Sequence, residues 1–170
     1  MKVLLYMAST VNGFIATDKD ETPWSEEVWN GYYTFVRERG NIILGRKTYD
    51  MMKAANEFEK LGSPVTVVIS HTADQSPDKM VTFVTSAKEA VGVMKQKGMK
   101  EVVVGGGSAI NAAFLKEDLL DELYLDIDPL LFGKGVPLFA ETENIQAKLE
   151  LIGVQNLSKN TLRVHYRVVK

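Results

Sequence analysis

The sequence contains no cysteine. That absence removes thiol nucleophiles, cysteine-based zinc sites and any disulfide framework, and it fits a reducing compartment. Histidine is scarce too: His71 and His165 are the only two, and no His or carboxylate grouping has the spacing of a metal site. No metal is expected. Net charge is nearly absent, with 20 basic against 22 acidic residues and a formal charge of -2. No global field therefore recruits nucleic acid or an anionic membrane. No run approaches the roughly 18 uncharged apolar residues of a membrane helix, and Met1 to Ala8 is too short and strand-like for the apolar core of a signal peptide. A cytoplasmic protein with neither nucleic acid nor membrane as partner is the expectation. Repeats, low-complexity runs and linkers are missing as well, so residues 1–170 read as a single domain.

The composition that remains is 45% apolar and 25% charged, which is that of a soluble globular chain. At this length roughly 70% of the unfolded chain's surface is buried on folding, enough for a core without covalent staples.

Short β-branched runs alternate with longer helical patterns, the signature of α/β. Val3 to Ala8 reads as a strand. Ser25 to Arg39 reads as a helix, with Ser25 as N-cap, Val28, Tyr32, Phe35 and Val36 at helical spacing, and Gly40 at its end. Ile42 to Leu44 is a buried strand, Lys47 to Phe58 a helix, and Val65 to Ile69 a strand covered on both faces. Val81 to Val84 follows as a strand. Ser86 to Lys97 is a helix opened by a Ser86/Glu89 capping box, with Gly98 beyond its end. Glu101 to Val104 is a strand, and Ala109 to Leu115 a short helix. The rhythm then changes, because Glu122 to Ile127, Leu149 to Leu157 and Leu162 to Val169 are strand-like with no helix between them. The last two read as a hairpin turning at Ser158-Lys159-Asn160, with Leu162, Val164, Tyr166 and Val168 on a buried face and Arg163, His165 and Arg167 on a wet one. An open, mainly parallel sheet finished by an antiparallel C-terminal hairpin is the expected architecture.

Two strand-to-helix junctions carry chemistry. Gly105, Gly106, Gly107 and Ser108 follow a strand and open a helix, so backbone N–H groups and the helix dipole are aimed beyond the strand end, and the glycines admit the close approach that a pyrophosphate needs. Three consecutive glycines exceed what a turn requires. The full dinucleotide fingerprint wants a small residue where Ile110 stands, which disfavours a standard Rossmann domain. Gly45, Arg46, Lys47 and Thr48 form the second junction. Basic residues at a helix N-terminus are unfavourable without a nearby anion, which points to phosphate. A nucleotide-triphosphate loop is excluded, since Ile42 to Leu44 is a strand where such a loop needs flexible backbone. Ser9 has no paired base, so nucleophilic catalysis has little support.

Taken in order, Ser9 to Ala16, Pro23-Trp24, Gly45 to Thr48, Ile69-Ser70-His71-Thr72 and Gly105 to Ser108 resemble the dihydrofolate reductase fold family over nearly the whole chain. Asp121 to Leu125, Pro129, Gly133-Lys134-Gly135 and Pro137-Leu138-Phe139 resemble its riboflavin-pathway pyrimidine reductase branch more than dihydrofolate reductases proper. The resemblance implies a three-layer α/β fold and NADPH bound across the carboxyl ends of the strands. It implies phosphate contacts from Arg46, Lys47 and Thr48 beside Gly45, and ribose 2′-phosphate contacts from Ser70 and His71. Gly105, Gly106, Gly107, Ser108 and Ala109 would meet the diphosphate and nicotinamide side, and the Ala8 backbone the carboxamide.

The buried acid that anchors pterin in dihydrofolate reductases falls on Trp29 here, so a working dihydrofolate reductase is not expected. Glu26 and Glu27 lie on other faces of their helix, about 100° apart per residue, and read as charges suited to its first turn. Trp29 and Tyr33, one turn apart, are candidates for an aromatic substrate pocket, with core packing as the alternative. No catalytic residue is identified. The leading reading is an NADPH-dependent reductase acting on a small heterocycle related to 5-amino-6-(5-phosphoribosylamino)uracil. The alternatives are an NADP(H)-binding regulatory module without turnover and, more weakly, a phosphate-ester hydrolase. By resemblance, late strands join two copies in a homodimer.

Overall fold

A computed structural model describes residues 1–72, 76, 78–140 and 146–170. Chain order is β1 (Lys2–Thr10), β2 (Phe14–Thr17), α1 (Glu26–Arg39), β3 (Asn41–Gly45), α2 (Arg46–Ala54), α3 (Glu57–Lys60), β4 (Val65–Ile69), β5 (Val81–Val84), α4 (Ala87–Gln96), β6 (Glu101–Val104), α5 (Ser108–Lys116), β7 (Glu122–Asp128), β8 (Gly135–Pro137), β9 (Lys148–Asn156) and β10 (Leu162–Val169). Eight of these strands form one sheet in the order β5-β4-β3-β6-β1-β7-β10-β9. Pairing is parallel from β5 through β7 and antiparallel where β10 joins β7 and β9. Strands β2 and β8 make a separate antiparallel pair. The fold is thus α/β with a mainly parallel sheet and a C-terminal antiparallel hairpin, as the alternation predicts.

Period-two alternation sorts the central strands between two covering layers. Val3, Leu5, Ile43, Val67, Val102 and Val104 pack with Ala90 and Met94 of α4 and Phe114 of α5. Leu4, Tyr6, Ile42, Leu44, Val68 and Val103 face the other way, onto Phe35 and Val36 of α1 and Tyr49 of α2. Ile42, Ile43 and Leu44 are fully buried, and burying one such side chain contributes about 1.5–3 kcal/mol. Strand alternation therefore builds both cores at once.

Three local expectations need correction. The helix expected over Lys47 to Phe58 is two helices, because Asn56 takes a left-handed conformation at φ 54°, which asparagine tolerates better than most residues. Ser25 stands at the N-cap position with extended backbone but does not cap. Its N–H and Oγ both serve the buried Asp128 carboxylate, each at 2.8 Å, and Thr161 adds a third donor at 3.0 Å. At α4 the Ser86 Oγ does accept the Glu89 N–H, while the Glu89 carboxylate reaches back to the N–H of Thr85.

The third correction concerns β10. Arg163 and His165, expected on a wet face, are partly covered, and Leu162 is exposed. Helix α1 extends over that face, and the carboxylates of β7 lie opposite. Asp126 is completely buried and accepts from Arg163 Nε at 2.7 Å, from Arg163 Nη2 at 2.9 Å and from the Tyr6 hydroxyl. His165 stacks on Tyr124 at 3.9 Å and lies 2.9 Å from Glu122. Burial works against the Glu122 carboxylate, but Lys2 and His165 outweigh it and hold its pKa below the ordinary value. Gly31 permits the close approach of α1, since a Cβ there would sit 2.6 Å from Arg163 Nη2. Among the described residues no helix is long and apolar enough to cross a membrane.

Candidate functional site

Parallel strands end together on one edge, and ligands of open α/β sheets bind in the crevice outside those ends. Here the ends of β1, β3, β4 and β6 open into a cleft of about 840 Å³. Of the residues singled out in the sequence, Ala8, Gly45, Arg46, Lys47, Thr48, Ser70, His71, Gly105, Gly107, Ser108, Ala109 and Trp29 line it. Gly106 lies just behind, at φ 87°, where a Cβ would meet Met7 Sδ at 3.0 Å.

The two glycine turns are tied to each other. Gly45 donates to the Gly106 carbonyl at 2.8 Å and Gly105 to the Ile43 carbonyl at 2.9 Å, so these two N–H groups belong to the sheet rather than to a ligand. A Cβ at Gly45 would lie 2.8 Å from Ile110, and one at Gly105 2.8 Å from Ile42. Glycine is required at both on packing grounds. The adjoining start of α5 is different. Its Ser108 Oγ is buried without a hydrogen-bond partner while lining the cleft. An orphaned hydroxyl beside a helix N-terminus suits an anion, and a dinucleotide phosphate fits there.

The second turn carries its own counter-charges. Arg46 Nε lies 2.8 Å from Asp50 and Lys47 Nζ 2.7 Å from Asp20. Protein carboxylates thus supply anions to the start of α2, and the dipole argument alone does not require a phosphate. The Lys47–Asp20 pair joins α2 to the loop after β2 beside the cleft. Ser70 is buried, with its Oγ 3.0 Å from Thr72 Oγ1, and His71 is exposed.

Away from the glycine turns the lining is aromatic and thioether. Helix α1 presents Val28, Trp29 and Tyr32, and α2 presents Met51 and Met52. Trp24 closes the side, stacked on Phe132 at 6.0 Å. The Tyr32 hydroxyl points at the Met52 sulfur from 3.9 Å, and burial pushes its pKa up, so it stays protonated. Tyr33 is not among the lining residues. Its ring stacks on Trp29 at 5.8 Å and its hydroxyl donates to Glu57 at 2.6 Å.

Sequence reading missed Glu57, which lines the cleft beyond the break at Asn56. An asparagine within a helical pattern was the available signal. It also missed the buried Asp126. Asp126 is not a lining residue; its charge is matched by Arg163 inside the fold.

The family described as the RibD C-terminal domain matches residues 1–162. A Bacillus subtilis protein named as uncharacterised, YwjB, is 30% identical over 170 residues, covering 97% of each chain. The crystal structure of a putative riboflavin biosynthesis protein from Shewanella sp. PV-4 superposes with a TM-score of 0.82 at 25% identity, over 100% of both chains. A Thermotoga maritima diaminohydroxyphosphoribosylaminopyrimidine deaminase/5-amino-6-(5-phosphoribosylamino)uracil reductase shares the fold at a TM-score of 0.76 and 16% identity. That match covers 99% of this chain and 56% of the longer one.

Proposed function

The chain belongs to the RibD C-terminal domain family, and on that premise we propose that it is an NADPH-dependent reductase acting on a small heterocycle, of the riboflavin-biosynthesis type. One observation carries the reading: a single void of about 840 Å³ is lined by both glycine turns and by the aromatic wall of α1. Gly107, Ser108 and Ala109, with Thr48, would hold the diphosphate. Arg46, Ser70 and His71 would hold the ribose 2′-phosphate, and the Ala8 backbone the carboxamide. When bound, NADPH supplies the hydride. The chain's own part is to orient the acceptor against Trp29 and Tyr32 and to exclude water from the apolar half, where positioning contributes most to rate. Position 29 carries tryptophan in place of an acid, so no residue of the chain is assigned as proton donor. That same feature favours the second reading, a binding module without turnover, which predicts NADPH affinity but no oxidation with any heterocycle offered.

The test is a pair of dissociation constants. NADPH should bind more tightly than NADH, and Arg46→Ala should weaken NADPH about tenfold to a hundredfold, the worth of one charge-assisted bond, while leaving NADH nearly unchanged. Gly106→Val should abolish binding of both. Equal losses for the two cofactors in Arg46→Ala, or no NADPH binding by the parent, would overturn the reading.

Two copies are proposed to pair through the β9–β10 hairpin. The bulge at Ile152 shifts the alternation, so Leu149, Leu151 and Val154 stand opposite Val168, Tyr166 and Val164 on one face. They are 45%, 54% and 57% exposed on an edge strand, a surface that soluble proteins cover or charge.

A further inference from the structure

Lys47 and Asp20 reach the cleft from two different elements. Lys47 stands at the start of α2, one turn before Met51, and Asp20 in the turn that follows β2; both are lining residues. Lys47 Nζ lies 2.7 Å from Asp20 Oδ2, and the two side chains are 72% and 38% exposed. The Arg46–Asp50 pair lies within α2, whereas this one bridges the helix and the turn.

The turn has bonds of its own. The Asp20 N–H donates to the Thr17 carbonyl at 3.0 Å, the Thr17 N–H to the Glu21 carbonyl at 2.9 Å and the Glu21 N–H to Thr17 Oγ1 at 3.1 Å. Asp20 sits at φ 63°, a left-handed conformation that aspartate tolerates better than most residues. Backbone and Thr17 therefore close the turn without Lys47. What the Asp20 carboxylate adds is an anion seated on a lysine that lines the cleft.

Exposed ion pairs are weak and easily exchanged. A ligand phosphate carries at least the charge of a carboxylate and makes strong charge-assisted bonds to an ammonium. Sharing is disfavoured, because carboxylate and phosphate together set at least two negative charges beside one positive one. We propose that Asp20 holds the place of a ligand phosphate on Lys47: the phosphate takes the ammonium, and the carboxylate turns out to solvent. Asp20 is then an internal competitor that lowers affinity for ligands whose phosphate reaches Lys47 and leaves the others untouched. The cofactor and a phosphoribosyl acceptor present the same phosphate chemistry. This rests on the reductase reading and deepens it, by assigning Lys47 a partner that ligand binding must displace.

The experiment is titration calorimetry on the full chain with three ligands: NADPH, 5-amino-6-(5-phosphoribosylamino)uracil, and the ribosylamino counterpart lacking the phosphate. Asp20→Asn should tighten the ligand whose phosphate reaches Lys47 about two- to fivefold, the worth of an exposed ion pair, and leave the unphosphorylated compound unchanged. Whichever ligand tightens is the source of the phosphate. Lys47→Met should weaken that same ligand about tenfold. In the Lys47→Met background most of the gain from Asp20→Asn should vanish, since no ammonium is left to compete for. A gain that survives there marks plain repulsion and overturns the proposal. So does unaltered or weaker binding of both phosphate ligands to Asp20→Asn, an equal gain for the unphosphorylated compound, or binding of neither phosphate ligand. A parent that binds no NADPH refutes the reductase, while the two uracil compounds still judge the exchange.

Discussion

Gly31 sits inside α1, and replacing a helical glycine with alanine ordinarily stabilises a protein by roughly 0.5–1 kcal/mol. Here the sign should invert. A Cβ at this position would lie 2.6 Å from Arg163 Nη2, 3.2 Å from the Tyr6 hydroxyl and 3.3 Å from Asp126 Oδ2. The guanidinium is the group that must yield, yet it is fastened to Asp126 through two hydrogen bonds and to Tyr6 through another. Moving Nη2 away sacrifices at least one hydrogen bond to a charged group, worth about 1.5–3 kcal/mol, in a place where Asp126 has no water to turn to. Against the propensity gain, the net result is a loss of about 1–2 kcal/mol. At about 2–4 °C per kcal/mol for a chain of this size, Gly31→Ala should lower Tm by several degrees and shift the urea midpoint with an unaltered slope. Placing the same change in a background with Arg163→Leu and Asp126→Leu, where the pair is removed together, should restore the ordinary stabilisation. An alanine that stabilises the parent, or one sign in both backgrounds, would refute the argument.

Acid should weaken the fold partly through Glu122. A carboxylate whose folded pKa is depressed contributes stability above its unfolded value, near 4.3, and loses it as pH falls through the folded one. The stability gap between the parent and Glu122→Gln should therefore shrink between about pH 5 and pH 3; a gap constant over that range in thermal melts would count against it. Leu151→Glu, on the exposed hairpin face, should convert a dimer to a monomer by light scattering without lowering NADPH affinity. A parent that is monomeric at high concentration would sink the pairing proposal.

Elements whose cause is local were readable from the sequence. Ile42 to Leu44 and Val65 to Ile69 are β-branched or apolar runs that can be little but buried strand; the glycine at 105, read as room for a ligand, leaves room for the Ile42 side chain, as the glycine at 45 does for Ile110. Elements whose cause is distant were not. Nothing within the run Ala54-Ala55-Asn56 forces a break, and alanine argues for continuing the helix. Past the left-handed turn at Asn56 the chain buries Leu61 completely. Arg163 and His165 read as a wet face because alternation gives a face but not what covers it. The cover comes from α1, more than 120 residues earlier, through a glycine whose role there is invisible locally.

The same distinction bears on chemistry. Losing the acid at position 29 suggests a search for a replacement, and β7 supplies buried carboxylates close to α1. Their partners argue against that role. Asp126 has Arg163 and Tyr6, and Asp128 has Ser25 and Thr161, so each is fully engaged in holding β7, β10 and the start of α1 together. Neither lines the cleft. Glu57 does, with the Tyr33 hydroxyl and the Lys60 ammonium as its donors. On this arrangement the fold's buried charges stabilise the scaffold and do not face the cleft.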